Sequence, residues 1–299
     1  YRTPIKFGGR VVNDVVLLNI TVDVETRDGR TAQGFGSMPI GNAWGWPSQQ
    51  VDGELTLAAM IQLGERVARL LADYQGQAHP LEIMHDLTGE YQRLADEVTQ
   101  AGSLGESMPR LAQLVSASPI DAAVHDAMGK ALEANSYDLL GAEFVNRDLG
   151  HYLGDEFSGT YLDQHTLRTP QQSMPLYHLV GALDPLSEGE LENRLDDGGP
   201  ETLGEWITAD GLTHMKIKLS GEDLDWDVAR VVAVEQAAAE AQQARGCQQW
   251  HYSLDFNEKC ANVQYVLDFL GQLTEQSSEA LSRVQYIEQP THRDLRSNP

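Results

Sequence analysis

The sequence predicts an α/β protein in two parts, an α+β portion followed by alternating strands and helices. Three observations carry that prediction. A β-branched hairpin pattern near the start gives way to long amphipathic helical stretches. From about residue 175 the pattern changes to strand–helix alternation. Three successive strands of that second part end in charged or strongly polar residues.

The first elements follow from residue type and period. Residues 11–26, VVNDVVLLNITVDVET, are β-branched and partly alternating; Arg27-Asp28-Gly29-Arg30 supplies a turn, and TAQGFGSM returns as a second strand. The Gly- and Pro-rich PIGNAWGWPSQQ reads as a loop carrying Trp44 and Trp46. Aromatic side chains on a loop can close over a ligand, although packing against a neighbouring domain is their more frequent use. LTLAAMIQLGERVARLLADY and YQRLADEVTQA place apolar residues three and four apart, the helical period. The sharpest helix is SPIDAAVHDAMGKALEANSYDLLG, with Ser118 as N-cap, Pro119 at the first helical position and Asp121 in the first turn. Residues 1–145 therefore read as an α+β domain, and 146–174 as a polar connector without a period.

Residues 175–299 read as four consecutive βα units around a parallel sheet. PLYHLVGAL, THMKIKL, WHYSLDF and RVQYIEQP are the strands, and PETLGEWITADG, DLDWDVARVVAVEQAAAEAQQA and NVQYVLDFLGQL the helices between them.

Composition bounds the partners. Acidic residues outnumber basic ones 45 to 21, a formal charge of −24, which argues against phosphate-mediated nucleic-acid binding and is compatible with a divalent cation. Excess surface carboxylate also commonly serves solubility alone. No apolar run reaches the ~18–20 residues of a membrane helix, so no membrane partner is expected. Cys247 and Cys260 form no C-x-x-C or zinc pattern, and a cytoplasmic setting is expected.

The strand ends hold the chemistry. Lys216 and Lys218 share one face of a short strand, where like charges repel and a buried ammonium needs compensation. The next strand ends Asp255-Phe256-Asn257 and the last Glu288-Gln289-Pro290. Lys218 and Asp255 are 37 residues apart and Asp255 and Glu288 33 apart, close to the roughly 31 residues per unit of a (β/α)8 barrel. C-terminal strand ends are where such folds build active sites. Two carboxylates on neighbouring strands would repel unless a hard cation sits between them, and Mg²⁺ suits a few carboxylates plus waters or substrate oxygens. A nearby cation and a second lysine would also push a lysine's pKa down, towards a usable general base.

Together, K-I-K at 216–218, D-F-N at 255–257, Y-I-E-Q-P at 286–290 and the helix SPIDAAVHDAMGKAL resemble the enolase superfamily, of the mandelate racemase and muconate lactonizing enzyme type. The resemblance implies an enolase-like capping domain followed by the first half of a TIM-type (β/α)7β barrel. It implies Mg²⁺ held by Asp255 and Glu288, and Lys218 as the base that removes a proton α to the carboxylate of a small-molecule substrate, through an enediolate. Lys216 would stabilise the carboxylate's charge, and Asn257 would be a polar neighbour of the metal. The loop with Asn42, Trp44 and Trp46, and the segment Arg2 to Gly8, would lie where substrate-covering loops lie. Racemisation or epimerisation, cycloisomerisation and dehydration share this first step. Four further barrel strands, roughly 120 residues at the same repeat, would carry the third metal ligand and the opposing acid or base. The expectation is therefore a chain inactive by itself, and a homo-oligomer at full length. A non-catalytic relative and a barrel aldolase with Lys218 as Schiff-base nucleophile are the alternatives. Of the histidines, His178 is expected to pack, His125 to be structural, His214 and His251 to lie towards the opposite end of the strands, and His292 to approach the substrate.

Overall fold

The computed structural model describes residues 2–7 and 10–296; Gly8, within the expected covering segment, lies outside them. The chain divides into two compact units, residues 15–170 and residues 1–14 with 171–299.

The first unit is an antiparallel hairpin with helices. Strands β3 (Leu17–Glu25) and β4 (Thr31–Pro39) pair from Leu17↔Pro39 to Glu25↔Thr31. Residues 11 and 12 do not extend the hairpin: β2 (Arg10–Val12) pairs instead with β1 (Ile5–Phe7) as a short ribbon of the other unit. Burial alternates residue by residue along β3, so Leu18, Ile20 and Val22 face the core. After the one-turn α1 (Asn42–Gly45) come α2 (Gly53–Ala72), α3 (Pro80–Ala101) and α4 (Arg110–Leu132). Asp52 caps α2 by accepting from Glu54 N, and His79 caps α3 by accepting from Leu81 N at Nδ1 while Glu82 accepts from His79 N.

Helix α4 differs from the sequence expectation. Ser118 is not its N-cap; that place falls to Pro109, nine residues earlier, and Pro119 lies inside the helix. The apolar run PRLAQLV continues the buried stripe backwards, and its burial outweighs the one hydrogen bond a proline cannot donate. The hairpin also lies unusually close to this helix. A Cβ on Gly34 would stand 2.0 Å from Ala123 O, and one on Gly36 1.9 Å from Pro119 O. Only glycine fits at either position. Beyond α4, the expected connector holds short turns, including α5 (Gly150–Leu153).

The second unit is a parallel sheet in the order β5 (Tyr177–Val180), β6 (His214–Lys218), β7 (His251–Asp255), β8 (Val284–Glu288). Helices α6 (Leu203–Asp210), α7 (Leu224–Ala244) and α8 (Val263–Gln276) make the crossovers, with a short α9 (Ser278–Ser282) before β8. Their starts are capped as residue types predict: Thr202 and Glu205 form a capping box, Asp223 accepts from Trp226 N, and Asn262 from Tyr265 N. Met215 and Ile217 of β6, and Tyr252 and Leu254 of β7, bury one sheet face against Val228, Val231 and Val234 of α7 and Phe269 of α8. The alternate residues are free to carry chemistry on the other face. Among the described residues, no helix is long and apolar enough to cross a membrane.

Candidate active site

Register places the polar residues side by side. Lys218 lies opposite Asp255 across β6 and β7, and Asp255 opposite Glu288 across β7 and β8. Beyond the strands the ladder continues: Leu219 N donates to Asp255 O at 2.9 Å and Phe256 N to Glu288 O at 3.4 Å.

The two lysines are held by the two carboxylates. Asp255 Oδ2 accepts from Lys218 Nζ at 2.5 Å and lies 3.0 Å from Lys216 Nζ; Glu288 Oε2 accepts from Lys216 at 2.7 Å. Asn257 Oδ1 accepts from Lys218 Nζ at 2.9 Å, and Asn257 N donates to Asp255 Oδ1 at 2.9 Å. The cluster is shielded from solvent: side-chain exposure is 2% at Asp255, 13% at Lys218, 23% at Lys216 and 31% at Glu288.

These pairings set the local electrostatics of Lys216 and Asp255. Burial pulls its ammonium down, but hydrogen bonds to Glu288 and Asp255 together outweigh burial and hold it above the ordinary lysine value. Burial likewise pushes the Asp255 carboxyl up, and the hydrogen bond and charge of Lys218 prevail, leaving it below the ordinary value. Each charge is compensated by its opposite, which is what makes such burial tolerable.

Of the predicted site residues, the fold brings together Lys216, Lys218, Asp255, Asn257 and Glu288. Asn42, Trp44 and Trp46 belong to the other unit. There Asn42 Nδ2 donates to Gly53 O and Thr56 Oγ1, tying α1 to the start of α2. Trp46 is buried in the core with its indole N–H on Glu106, while Trp44 is 39% exposed. Arg2 pairs with Asp197 and stands over the Trp206 ring. His178 packs beside Trp206, and the His214 and His251 rings lie 5.1 Å apart at the beginning of β6 and β7. His292 is exposed and accepts from Asp294 N.

Sequence reasoning passed over three neighbours. Ser253, fully buried and without a hydrogen-bond partner for its hydroxyl, is in register with Lys216 on the site face. Its position two residues before Asp255 was the available signal. Glu258 and Arg293 form an ion pair beyond the strand ends, at 2.8 Å. Nothing in the local sequence announces that pair.

Asp255 and Glu288 are hard oxygen donors on adjacent strand ends, the donor type Mg²⁺ takes while keeping several waters. Among the described residues no group of three His, Cys, Asp or Glu side chains is placed to hold a metal ion, so this donor set comprises two carboxylates. In kind the set fits Mg²⁺.

No family model and no curated protein matches the chain. Solved structures do. An enolase from Bradyrhizobium, in complex with magnesium and mandelic acid, is 16% identical with a TM-score of 0.54; the match covers 98% of this chain and 58% of that one. An L-Ala-D/L-Glu epimerase from Bacillus subtilis, in a substrate-liganded complex, is 14% identical with a TM-score of 0.51 and the same coverage. The chain thus spans just under three fifths of the length of these structures. It has the fold of the matched part of these two structures, an α+β unit followed by a parallel βα sheet that forms part of a barrel.

Proposed function

We propose that the protein abstracts the proton α to a substrate carboxylate in a Mg²⁺-dependent reaction, a racemisation or epimerisation, a cycloisomerisation or a dehydration. The observation that supports this reading is the convergence of two lysines and two carboxylates at the C-terminal ends of three adjacent parallel strands. The two structural relatives, one with magnesium and mandelic acid and one an epimerase, are consistent with it.

In this reading Lys218 Nζ receives the α proton, held in place by Asp255 and Asn257. Lys216, engaged by both carboxylates, places positive charge beside the substrate carboxylate. Asp255 and Glu288 would hold Mg²⁺, which when bound supplies charge that stabilises the negative charge developing on the substrate's oxygens. Half-burial of the lysines keeps bulk water from screening these charges.

The test uses a protein carrying this chain, with candidate 2-hydroxy and 2-amino carboxylates in D₂O, followed by NMR. Exchange of the α proton is expected to stop with EDTA, return with Mg²⁺, and fall at least ~10²-fold in Lys218→Ala, the low end of general-base contributions. Undiminished exchange in that variant, or borohydride trapping of a substrate on Lys218, would overturn the assignment.

A further inference from the structure

The geometry points to Glu258 and Arg293 as positioning residues that hold Asn257 against Lys218, an inference that rests on the reading above of Asn257 and Lys218 as site residues. After β7 the chain reverses in a four-residue turn closed by Lys259 N donating to Phe256 O at 3.1 Å. Both central residues have positive φ, 52° at Asn257 and 65° at Glu258, as in a type I′ turn. Such turns favour Asn followed by Gly. Here glutamate stands at the glycine position, where its Cβ makes left-handed backbone unfavourable.

The surroundings supply what the residue type does not. Glu258 N donates to Gln289 O at 2.7 Å, and Cys260 N to Pro290 O at 2.9 Å. The Glu258 carboxylate accepts from Arg293 Nε at 2.8 and 3.0 Å and from Arg293 N at 3.1 Å. Gln289, between the metal-ligand candidate Glu288 and Pro290, is itself at φ 43°. The segment after β8 is thus clipped to the turn after β7. Within that clip Asn257 can donate its N–H to Asp255 Oδ1 and offer Oδ1 to Lys218 at once. Backbone held in sparsely populated conformations beside a site is a recurrent form of preorganisation.

Pulse acylation of the 299-residue chain with N-hydroxysuccinimidyl acetate at one pH, read by peptide mass spectrometry, tests this. Lys130, paired with Asp126 in the other unit, is the internal reference. Glu258→Ala and Arg293→Ala are expected to raise the Lys218-to-Lys130 labelling ratio about fivefold, the size expected for losing one hydrogen bond. Glu258→Gly removes the clip but suits the left-handed turn, so its ratio should stay near the parent's. An unchanged ratio in both alanine variants would overturn the proposal. So would a glycine variant as reactive as the alanine one, or labelling that rises alike at Lys130 and Lys218. Failure of the functional reading would show separately, as absent α-proton exchange in a longer protein carrying this chain, and leaves the labelling contrast intact.

Discussion

His79 shows how far a single buried side chain departs from its free behaviour. Burial, reinforced by His125, lowers its pKa from 6.5 to about 4, against the smaller opposing pull of Glu82 and of the Leu139 backbone. Because the folded value lies below the unfolded one, the unfolded chain binds the extra proton first as pH falls. Stability is therefore full above pH 6.5 and declines between 6.5 and about 4, by up to ~3 kcal/mol for that shift. Thermal melts across this range should show the decline, and His79→Asn, which keeps a cap acceptor without titrating, should flatten it; an equal slope in the variant would refute the assignment. At this scale the sequence was an uneven guide. Lys216, Lys218, Asp255 and Glu288 were legible because register and strand period follow from the chain alone. The left-handed backbone at Glu258 was not, because it is set by Gln289 and Arg293, some 30 residues away. Trp46, read in a loop, is buried because Glu106 takes its indole N–H and the core takes its ring.

Among the elements, the β4–α4 contact is the most exacting. Alanine at Gly34 or Gly36 would drive a methyl against backbone carbonyl oxygens, which cannot move aside as a side chain can. Each substitution is expected to cost about 3 kcal/mol or more, the upper range for overpacking. Gly204→Ala is the contrast: it lies in α6 with nothing within 4 Å of the new methyl, and should gain up to ~1 kcal/mol from helix propensity. Urea unfolding of the three variants checks both signs, and a mild effect at Gly34 and Gly36 would mean the helix can retreat. This contact also explains why the start of α4 was misplaced from sequence. Ser118-Pro119 carries a strong local start signal, but apolar periodicity on both sides and the hairpin pressed against Pro119 O belong to tertiary structure.

For the molecule as a whole, charge is the dominant statement. With 45 acidic and 21 basic residues, only five of them lysine, the folded chain repels itself. Raising salt from roughly 0.01 to 1 M shortens the screening length from about 30 to about 3 Å. Exposed ion pairs such as Arg69–Glu65 weaken, but each contributes little, and relief of the net −24 prevails. The melting temperature should therefore climb with added KCl; a fall would show that paired charges govern instead. The division of labour in the parallel sheet has a further consequence, for how such a protein changes over generations. Met215, Ile217, Tyr252 and Leu254 answer only to the helices behind them, whereas Lys216, Lys218, Ser253 and Asp255, one step along the same strands, do not. A mutational scan should therefore beat with a period of two, intolerance of polarity alternating with intolerance of altered chemistry. New reactions can be tried on one beat while the other keeps the scaffold standing.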